Sequence, residues 1–295
     1  MELLNEVKDY IKNGTAFDEG LALKIVNYQA ETIRPYGEFL KKQTGKTHFK
    51  SISEVPPFPV DFFKIAELFA LKEHKGYFES SGTQGTKSRV YYNDTSLSLY
   101  RVSSIVSYPL KQRPIKTPLD MSKVKTSSLA FMVNHFIETF GGKTITNIYE
   151  EVQEGDVLFL TAIQLYNFLQ TAKKTFLKRI YIVETGGYKR FKRAYNRFKL
   201  YALAKNVFKN ADFYTEYGMT ELFSQFYADQ GHPFREKHYL KVMEHSFGYL
   251  KVFDFANLFH ISYIVVPDII DWKKDGFEYI KRDVEDERGC SYTFG

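Results

Sequence analysis

The chain has 295 residues, of which 44% are hydrophobic and 26% charged, a composition ordinary for a globular protein with a substantial core. Its one cysteine, Cys290, excludes an intrachain disulfide framework and a multi-cysteine metal site. The net charge of +6 is modest, and no apolar run approaches the roughly 20 residues that a membrane-spanning helix needs. The start of the chain also lacks the layout of a signal peptide. We therefore expect a cytoplasmic protein with no membrane span.

The first 45 residues have the apolar spacing of helices. One stripe at helical spacing consists of Phe17, Leu21, Ile25 and Tyr28. Pro35 suits the first turn of a further helix, because proline lacks the N–H that would be unsatisfied there. A rigid, non-helical passage is then predicted by three prolines, Pro56, Pro57 and Pro59.

Strand-like and helical segments alternate beyond residue 60, which predicts α/β layering. The predicted strands are Ile65–Leu71, Gly76–Glu79, Arg89–Tyr92, Ser128–Val133, Val157–Leu160 and Arg179–Val183. Helices are expected near 95–107, 135–140, 162–176 and 188–208. After residue 211 the predicted elements are mostly strands, at Asp212–Thr215, Phe223–Tyr227, Gly248–Phe255 and His260–Val266. Asp275-Gly276 is typical of a tight hairpin turn.

Residues 173–209 are strongly basic: they contain twelve Lys and Arg residues and one acid, Glu184. Such a segment could bind a nucleic acid or an acidic partner. Its apolar residues recur at helical spacing, at Phe191, Tyr195, Phe198 and Ala202. This spacing favours an amphipathic helix with a solvated basic face. We therefore expect no nucleic-acid partner.

A loop rich in glycine and hydroxyl residues separates two of the predicted strands. Residues 80–88 read Ser-Ser-Gly-Thr-Gln-Gly-Thr-Lys-Ser. Glycine lets backbone N–H groups turn towards an anion, and hydroxyls and an ammonium group supply further donors. The loop departs from the Walker motif, because Thr86 and not glycine precedes Lys87. These residues alone fit either a phosphate-binding loop or an ordinary hairpin.

A second segment, Asp212–Glu221, runs from a short apolar strand into Tyr-Gly-Met-Thr-Glu. Gly218 would permit a tight bend that places an aromatic face, a hydroxyl and a carboxylate on one rim. An aromatic face suits a purine, and a carboxylate suits Mg²⁺. The same residues also fit a simple turn with a surface glutamate.

Together the two segments resemble the adenylate-forming enzymes, a group that includes acyl-CoA synthetases and luciferases. The order Ser-Ser-Gly-Thr-x-Gly and then Tyr-Gly-x-Thr-Glu carries this resemblance. More narrowly, the chain is similar to the bacterial acyl-protein synthetases, the LuxE-type component of fatty acid reductase. Further likenesses are Glu184–Lys189, Gly248–Asn257, Asp268 ahead of Asp275–Glu278, and Arg282. The resemblance covers roughly residues 76–292.

The resemblance implies an α/β fold with the layered sheets and helices of the adenylate-forming N-terminal region. The C-terminal lid domain, with its catalytic lysine, would be reduced or missing. Three regions follow. Residues 1–60 would form a helical segment packed on the main domain, residues 61–267 the AMP-binding domain, and residues 268–295 a vestigial C-terminal segment with a mobile tail.

The resemblance also implies ATP and Mg²⁺ as cofactors. The residues expected to wrap the ATP phosphates are Ser80, Ser81, Gly82, Thr83 and Gly85, with a cationic contact from Lys87 or Arg89. The residues expected around the nucleoside are Gly186 and Gly187 near adenine, Tyr217 stacked on the base, and Asp268 and Arg282 at the ribose, with Arg288 a second candidate arginine. Thr220 would contact the α-phosphate, and Glu221 would hold Mg²⁺.

Cys290 gains interest from the resemblance, because acyl-protein synthetases carry the acyl group on a cysteine near the C-terminus. A thiolate suits thioester formation, and the neighbouring Arg288 would favour its ionisation. The enzyme would then activate a carboxylic acid, in particular a fatty acid, and pass it to an acyl-CoA reductase-type partner. The alternative is that Cys290 is incidental. His135 could line the acyl pocket or could simply be a histidine satisfied by local hydrogen bonds.

Three other functions stay open from the sequence. One is an acyl- or aryl-CoA ligase of the phenylacetate type, which would turn over with CoA and without Cys290. Another is a non-catalytic nucleotide-binding partner subunit. The third is nucleic-acid binding through residues 173–209, which steep salt dependence would reveal.

Overall fold

Three β-sheets and their covering helices make up the part of the chain that the computed structural model describes, residues 2–80, 86–186 and 197–282. The α-helices in these residues are α1 (Glu2–Asn13), α2 (Glu19–Thr32), α3 (Arg34–Thr44), α4 (Asp94–Ser107), α5 (Ser128–Phe140), α6 (Ile148–Glu151), α7 (Ala162–Thr171) and α8 (Arg197–Val207). The strands are β1 (Phe58–Pro59), β2 (Gly76–Glu79), β3 (Arg89–Tyr92), β4 (Ile115–Thr117), β5 (Gly142–Thr144), β6 (Val157–Thr161), β7 (Ile180–Thr185), β8 (Ala211–Tyr217), β9 (Phe226–Asp229), β10 (Leu240–Val242), β11 (Gly248–Asp254), β12 (Tyr263–Lys273) and β13 (Gly276–Arg282).

A six-stranded sheet holds the strands in the order β5-β4-β6-β7-β8-β9, all parallel except β9. Its central strand β6 reads as a continuous apolar run, because both faces of a parallel sheet are covered by helices. Phe159 packs into the core that contains α5, whereas Leu158 and Leu160 pack into the core beneath α7 and α8. Alternate residues of one strand therefore serve two separate cores.

A second sheet runs β1-β12-β11-β10, with β13 paired to β12 on the hairpin that Asp275-Gly276 predicted. The N-terminal helices pack on it, and Val7, Ile25 and Tyr36 lie in the same core as β11 and β12. Gln29 of α2, fully buried, donates to the carbonyls of Asn257 and Leu258, and it exchanges two hydrogen bonds with Ser262. This amide thus fixes α2 against the turn between β11 and β12.

The third sheet is the antiparallel hairpin β2–β3, which bears the glycine- and hydroxyl-rich loop. It is anchored through Phe78, whose ring lies 6.1 Å from Tyr100 on α4 and 5.5 Å from Phe131 on α5. Asn93 begins α4 as a cap and accepts from the backbone N–H of Ser96. The hairpin is thereby held on two helices.

The alternating pattern and most predicted strands are confirmed, but two of the predicted strands are wrong. Ser128–Val133 is the first half of α5, capped by Ser127, whose hydroxyl accepts from Ala130 N–H. An apolar run of this length fits a buried helix as well as a strand. Ile65–Leu71 forms turns and irregular structure. Predicted helix 162–176 ends earlier, since α7 stops at Thr171.

The basic helix is confirmed only in part, because residues 188–196 lie outside the described residues. In α8 the buried side chains are Arg197, Leu200, Tyr201 and Ala204. The predicted apolar stripe is therefore wrong at Phe198, which is 46% exposed, and at Ala202, which is exposed as well. Both sets of residues have helical spacing, so the sequence could not choose between the two faces.

The predicted domain limits at 60/61 and 267/268 stay predictions, and the second of them falls within β12. Residues 283–295, the last 13 of the 28 residues of the predicted C-terminal segment, lie outside the described residues. Among residues 2–80, 86–186 and 197–282, no helix combines the length and apolar character that crossing a bilayer requires.

Gln29→Ala should lower the free energy of unfolding by about 3 kcal/mol, because buried backbone groups of the β11–β12 turn lose their partner. Denaturant unfolding of the intact chain measures this change. Gln43→Ala, at an exposed position of α3, is the matched control and should change it by less than about 0.5 kcal/mol. Equal effects of the two variants would contradict the prediction.

Candidate active site

The carboxyl ends of β7 and β8 lie side by side, because the two strands are parallel and pair Thr185 with Glu216. The segment after β7 begins with Gly186, whose φ of +41° belongs to the left-handed region that favours glycine. The segment after β8 is Gly218–Glu221. Ligands of open α/β sheets bind outside the carboxyl ends of the strands. The two predicted nucleotide segments therefore start at one edge of the sheet.

Tyr217, Asp268 and Arg282 form a hydrogen-bonded cluster next to this edge. Tyr217 Oη donates to Asp268 Oδ2 at 2.6 Å, and Arg282 Nη2 donates to the same oxygen at 2.6 Å. Arg282 Nε donates to Asp268 Oδ1, so the guanidinium engages both carboxylate oxygens. Asp268 and Arg282 are direct partners across β12 and β13. Three of the predicted site residues are thus brought together.

Electrostatics within this cluster are set by burial and by the Asp268 charge. Burial, followed by the neighbouring carboxylate, raises the pKa of the Tyr217 phenol well above its usual value. Burial lowers the pKa of Arg282, but the hydrogen bonds and charge of Asp268 outweigh it, and the net shift is upward. The Tyr217 ring also lies 5.7 Å from Phe234 and 6.2 Å from Tyr279. Tyr217 is therefore held in place by neighbours on several sides.

The Gly218–Glu221 turn and the residues after it are clamped by Asp254 and Asn257. Asp254, fully buried, accepts from Phe223 N–H at 2.9 Å, from Ser224 N–H at 2.9 Å and from Ser224 Oγ at 2.7 Å. Asn257 Nδ2 donates to the Glu221 carbonyl at 2.7 Å. Burial raises the pKa of Asp254 to about 6, although these hydrogen bonds lower it. The end of β11 thus fixes the backbone that presents Thr220 and Glu221.

Of the loop between β2 and β3, which the sequence predicts to bind phosphate, Ser80 and residues 86–88 are described. Ser80 and Ser88 exchange hydrogen bonds, with Ser80 N–H donating to the Ser88 carbonyl and Ser88 N–H to Ser80 Oγ, each at 3.1 Å. Lys87 Nζ donates to Glu79 Oε2 at 2.6 Å, and this bond chiefly lowers the pKa of Glu79. The predicted phosphate contacts Ser81, Gly82, Thr83 and Gly85 lie outside the described residues.

A chain of aromatic rings connects this hairpin to the Gly218–Glu221 turn. Tyr100, which contacts Phe78 of the hairpin, stacks on Phe223 with 4.8 Å between ring centroids. Ser103, on the same helix, donates through its hydroxyl to the Phe223 carbonyl. Helix α4 therefore contacts both the β2–β3 hairpin and Phe223, which lies just after the Gly218–Glu221 turn.

Two buried carboxyl groups beneath the strand ends were not predicted as site residues. Glu184 and Glu216 lie on neighbouring strands and are 0% and 5% exposed. Thr185 donates through its hydroxyl to Glu216 Oε2, and Tyr201 donates to Glu184 Oε1 at 3.4 Å. Burial first, and the Glu184 charge in addition, raise the pKa of Glu216 to about 7. An acid within an apolar strand run was the sequence signal that could have revealed them.

The other predicted residues are not part of this cluster or lie outside the described residues. Gly187, Arg288 and Cys290 lie outside the described residues. His135 sits on α5, where burial and then the Arg101 charge lower its pKa, and its role at an acyl pocket stays a prediction. Within the described part of the chain, His, Cys, Asp and Glu side chains form no group of three or more suited to a metal ion. Magnesium binding by Glu221 also stays a prediction.

Comparison with known proteins shows the fold. No protein-family model and no curated protein matches the chain. Among solved structures, O-succinylbenzoate coenzyme A synthetase (MenE) from Bacillus subtilis in complex with AMP is 14% identical, with a TM-score of 0.51 over 73% of this chain and 50% of that one. The complex of the same enzyme with ATP and magnesium is 14% identical, with a TM-score of 0.51 over 72% of this chain and 51% of that one. ATP-bound MatB from Rhodopseudomonas palustris is 12% identical, with a TM-score of 0.50 over 70% of this chain and 47% of that one.

The chain spans about half the length of these solved structures. Their shared architecture confirms the layered α/β fold that the resemblance to adenylate-forming enzymes predicted. At identities of 12–14% the likeness concerns the fold alone, and the activity of this chain is a separate question.

Asp254→Ala should lower the free energy of unfolding by about 3 kcal/mol, because buried N–H groups of Phe223 and Ser224 lose an acceptor. It should also speed amide hydrogen exchange at those two residues. Asp254→Asn, which retains one acceptor oxygen, is the matched variant and should cost less than half as much. Unchanged exchange in Asp254→Ala would show that the clamp is not what orders the turn.

Proposed function

We propose that the chain activates a carboxylic acid with ATP, forming an acyl-adenylate and pyrophosphate. The observation that carries this proposal is the joining of Tyr217, Asp268 and Arg282 by hydrogen bonds beside the clamped Thr220–Glu221 backbone. An aromatic ring, a carboxylate, a guanidinium and a hydroxyl at one sheet edge can recognise the base, ribose and phosphate of one nucleotide. The fold shared with ATP-bound synthetases supports the same assignment.

The residues present fit ATP and Mg²⁺ on chemical grounds. Asp268 accepts three hydrogen bonds from protein donors, and a carboxylate offers about four acceptor positions, so one position is left for a ribose hydroxyl. Because Asp268 is 2% exposed, the side chains that cover it would move to admit the ribose. Glu221 is a nearly buried carboxylate, 7% exposed, at the rim where the phosphates would lie. A hard oxygen ligand of this kind suits Mg²⁺. Lys87 and the loop 80–88 would hold those phosphates that lie further from the base.

The chemistry follows from charge neutralisation and alignment. A carboxylate oxygen of the acid attacks the α-phosphorus, an O–P bond forms, and the bond to the pyrophosphate leaving group breaks. Mg²⁺, when bound, offsets charge on the phosphate oxygens. Thr220 would donate towards the α-phosphate, and the bond that Asn257 makes to the carbonyl of the next residue, Glu221, helps to hold that donor in place before the reaction. Glu221 would hold this ion.

The second step of the proposal transfers the acyl group to Cys290. The Cys290 thiolate attacks the acyl carbonyl, a C–S bond forms, AMP leaves with its oxygen, and the thiol proton passes to solvent. The resemblance to acyl-protein synthetases supports this step, together with a fatty acid as substrate and an acyl-CoA reductase-type partner as acceptor. Arg288 would favour the thiolate.

An alternative second step would use free CoA as the acceptor, as in an acyl- or aryl-CoA ligase of the phenylacetate type. The solved structures of similar fold favour it, since one is named a coenzyme A synthetase. A non-catalytic nucleotide-binding partner subunit is the remaining alternative. The three functions differ in the thiol that accepts the acyl group, Cys290 or CoA, and in whether pyrophosphate is released at all.

Intact mass spectrometry after incubation with Mg-ATP and a panel of fatty acids tests the proposal. We expect an acyl adduct that depends on ATP, that hydroxylamine removes because it is a thioester, and that Cys290→Ser lacks. The adduct mass identifies the preferred chain length. The matched control is Ser291→Ala, which changes the adjacent residue, leaves the thiol in place and should keep the adduct.

Other outcomes select the alternatives. Pyrophosphate release that requires CoA, with no adduct on the protein, would establish the ligase. Tight ATP binding without any pyrophosphate release would indicate a nucleotide-binding subunit. No binding and no release would reject nucleotide chemistry altogether.

Substitution of Tyr217 separates the role of its ring from that of its hydroxyl. Tyr217→Leu should raise KM for ATP roughly tenfold to hundredfold, because stacking on a base contributes about 1–3 kcal/mol. Tyr217→Phe keeps the ring and should raise KM less than about fivefold. Steady-state pyrophosphate release measures both variants, and thermal unfolding confirms that each is folded. Equal KM values for the two variants would contradict base stacking.

A further inference from the structure

The carboxyl group of Glu216 lies between the two segments that the proposed nucleotide site requires. On one side it accepts from Thr185, the last residue of β7 and the neighbour of Gly186. On the other side its Oε1 lies so close to Gly218 that a methyl group at Gly218 would come within 2.3 Å of it. One carboxyl group therefore touches the start of both segments.

Burial and surroundings make the charge state of Glu216 consequential. It is 5% exposed, and burial disfavours its ionised form. Within residues 2–80, 86–186 and 197–282, the titratable groups that face it are Glu184 from β7, Tyr227 from β9 and Tyr100 from α4. Each of these is an acid or a phenol, so none of the three offsets a charge on Glu216.

We infer that Glu216 is a positioning residue whose protonated carboxyl joins the ends of β7 and β8 in the geometry that binds the nucleotide. Loss of the proton places a second buried negative charge beside Glu184 and beneath a site for a polyanion. That charge repels the phosphates of a nucleotide bound above it. Nucleotide affinity consequently falls as Glu216 ionises. This inference rests on the proposed function, because it concerns the same site.

The sign of the pH dependence follows from the direction of the pKa shift. Burial raises the pKa of Glu216 to about 7, above the value it has in the unfolded chain. The folded protein therefore holds the proton more tightly, and its stability falls as pH rises from the unfolded pKa to about 7, then stays level. Nucleotide affinity should fall as the pH rises through about 7, where Glu216 ionises in the folded protein. Glu216→Gln, which mimics the neutral carboxyl, should lack both effects.

The first experiment uses the full chain without nucleotide. Denaturant unfolding between pH 5 and 8.5 gives the stability profile of wild type, Glu216→Gln and the exposed control Glu31→Gln. We expect Glu31→Gln to follow wild type and Glu216→Gln to lose part of the decline towards neutral pH. Asp254 and Glu278, whose pKa values are also raised by burial, contribute equally to all three proteins and cancel in the comparison. Identical profiles for all three would overturn the inference.

The second experiment measures the dissociation constant of Mg-ATP by calorimetry from pH 6 to 8.5. Wild type should weaken by about tenfold through neutral pH relative to Glu216→Gln, the change that one unit of pKa coupling produces. Ionisation of ATP itself affects both proteins alike and cancels. The same pH dependence in both would overturn the inference and leave ATP binding intact. No ATP binding by wild type at any pH would instead reject the proposed function and the coupling with it.

Thr185 provides an independent test should Glu216→Gln fail to fold. The Thr185 hydroxyl favours the ionised carboxyl, so Thr185→Val should move the affinity transition to higher pH. Thr185→Ser keeps a hydroxyl and should restore the wild-type midpoint. A purely structural role for Thr185 would change affinity at all pH values without moving the midpoint, and that result would overturn the inference.

Discussion

The cluster of Asp268, Arg282 and Tyr217 is the feature on which the candidate site depends, because it lies where two sheets meet. Tyr217 ends β8 of the six-stranded sheet, whereas Asp268 belongs to β12 of the other sheet. A buried carboxylate is costly unless it is fully paired, and Arg282 supplies the compensating charge. The β12–β13 hairpin therefore has a functional consequence: its register puts the arginine opposite the aspartate.

A second connection between the sheets fixes the backbone next to Tyr217. Asp254, the last residue of β11, and Asn257, in the turn that follows, bond mainly to main-chain groups of residues 221–224. Main-chain bonds constrain where a turn lies without dictating its side chains. The clamp can therefore hold the turn rigid while Thr220 and Glu221 keep the chemistry that faces a ligand. Gln29 extends the same network to helix α2 by binding the Asn257 carbonyl.

The sequence predicted the parts of this architecture that local patterns determine. Continuous apolar runs marked β6 and β7, and Asp275-Gly276 marked the β12–β13 hairpin. The apolar run at Ser128–Val133 was misassigned, because a buried helix and a buried strand look alike over six residues. The orientation of α8 was also missed, since the burial of Arg197 depends on Glu278, which lies far away in the sequence.

The candidate site likewise contains residues that the sequence predicted and residues that it did not. Tyr217, Asp268 and Arg282 were predicted by resemblance, and the structure shows them hydrogen-bonded to one another. Glu216 and Thr185 were not predicted, since their roles arise from strand pairing, and pairing between parallel strands cannot be inferred from either strand alone.

Burial of acids beneath this edge has a thermodynamic consequence. Glu184, Glu216 and Asp254 are all buried, and burial disfavours the ionised forms of Glu216 and Asp254. Replacing them by apolar residues would remove that cost, and stability alone gives no reason to retain them. What an acid offers and an apolar residue cannot is a hydrogen bond of fixed direction to a neighbouring strand or turn. The buried acids thus lower stability but fix the positions of the strand ends, which is where a nucleotide would have to be held.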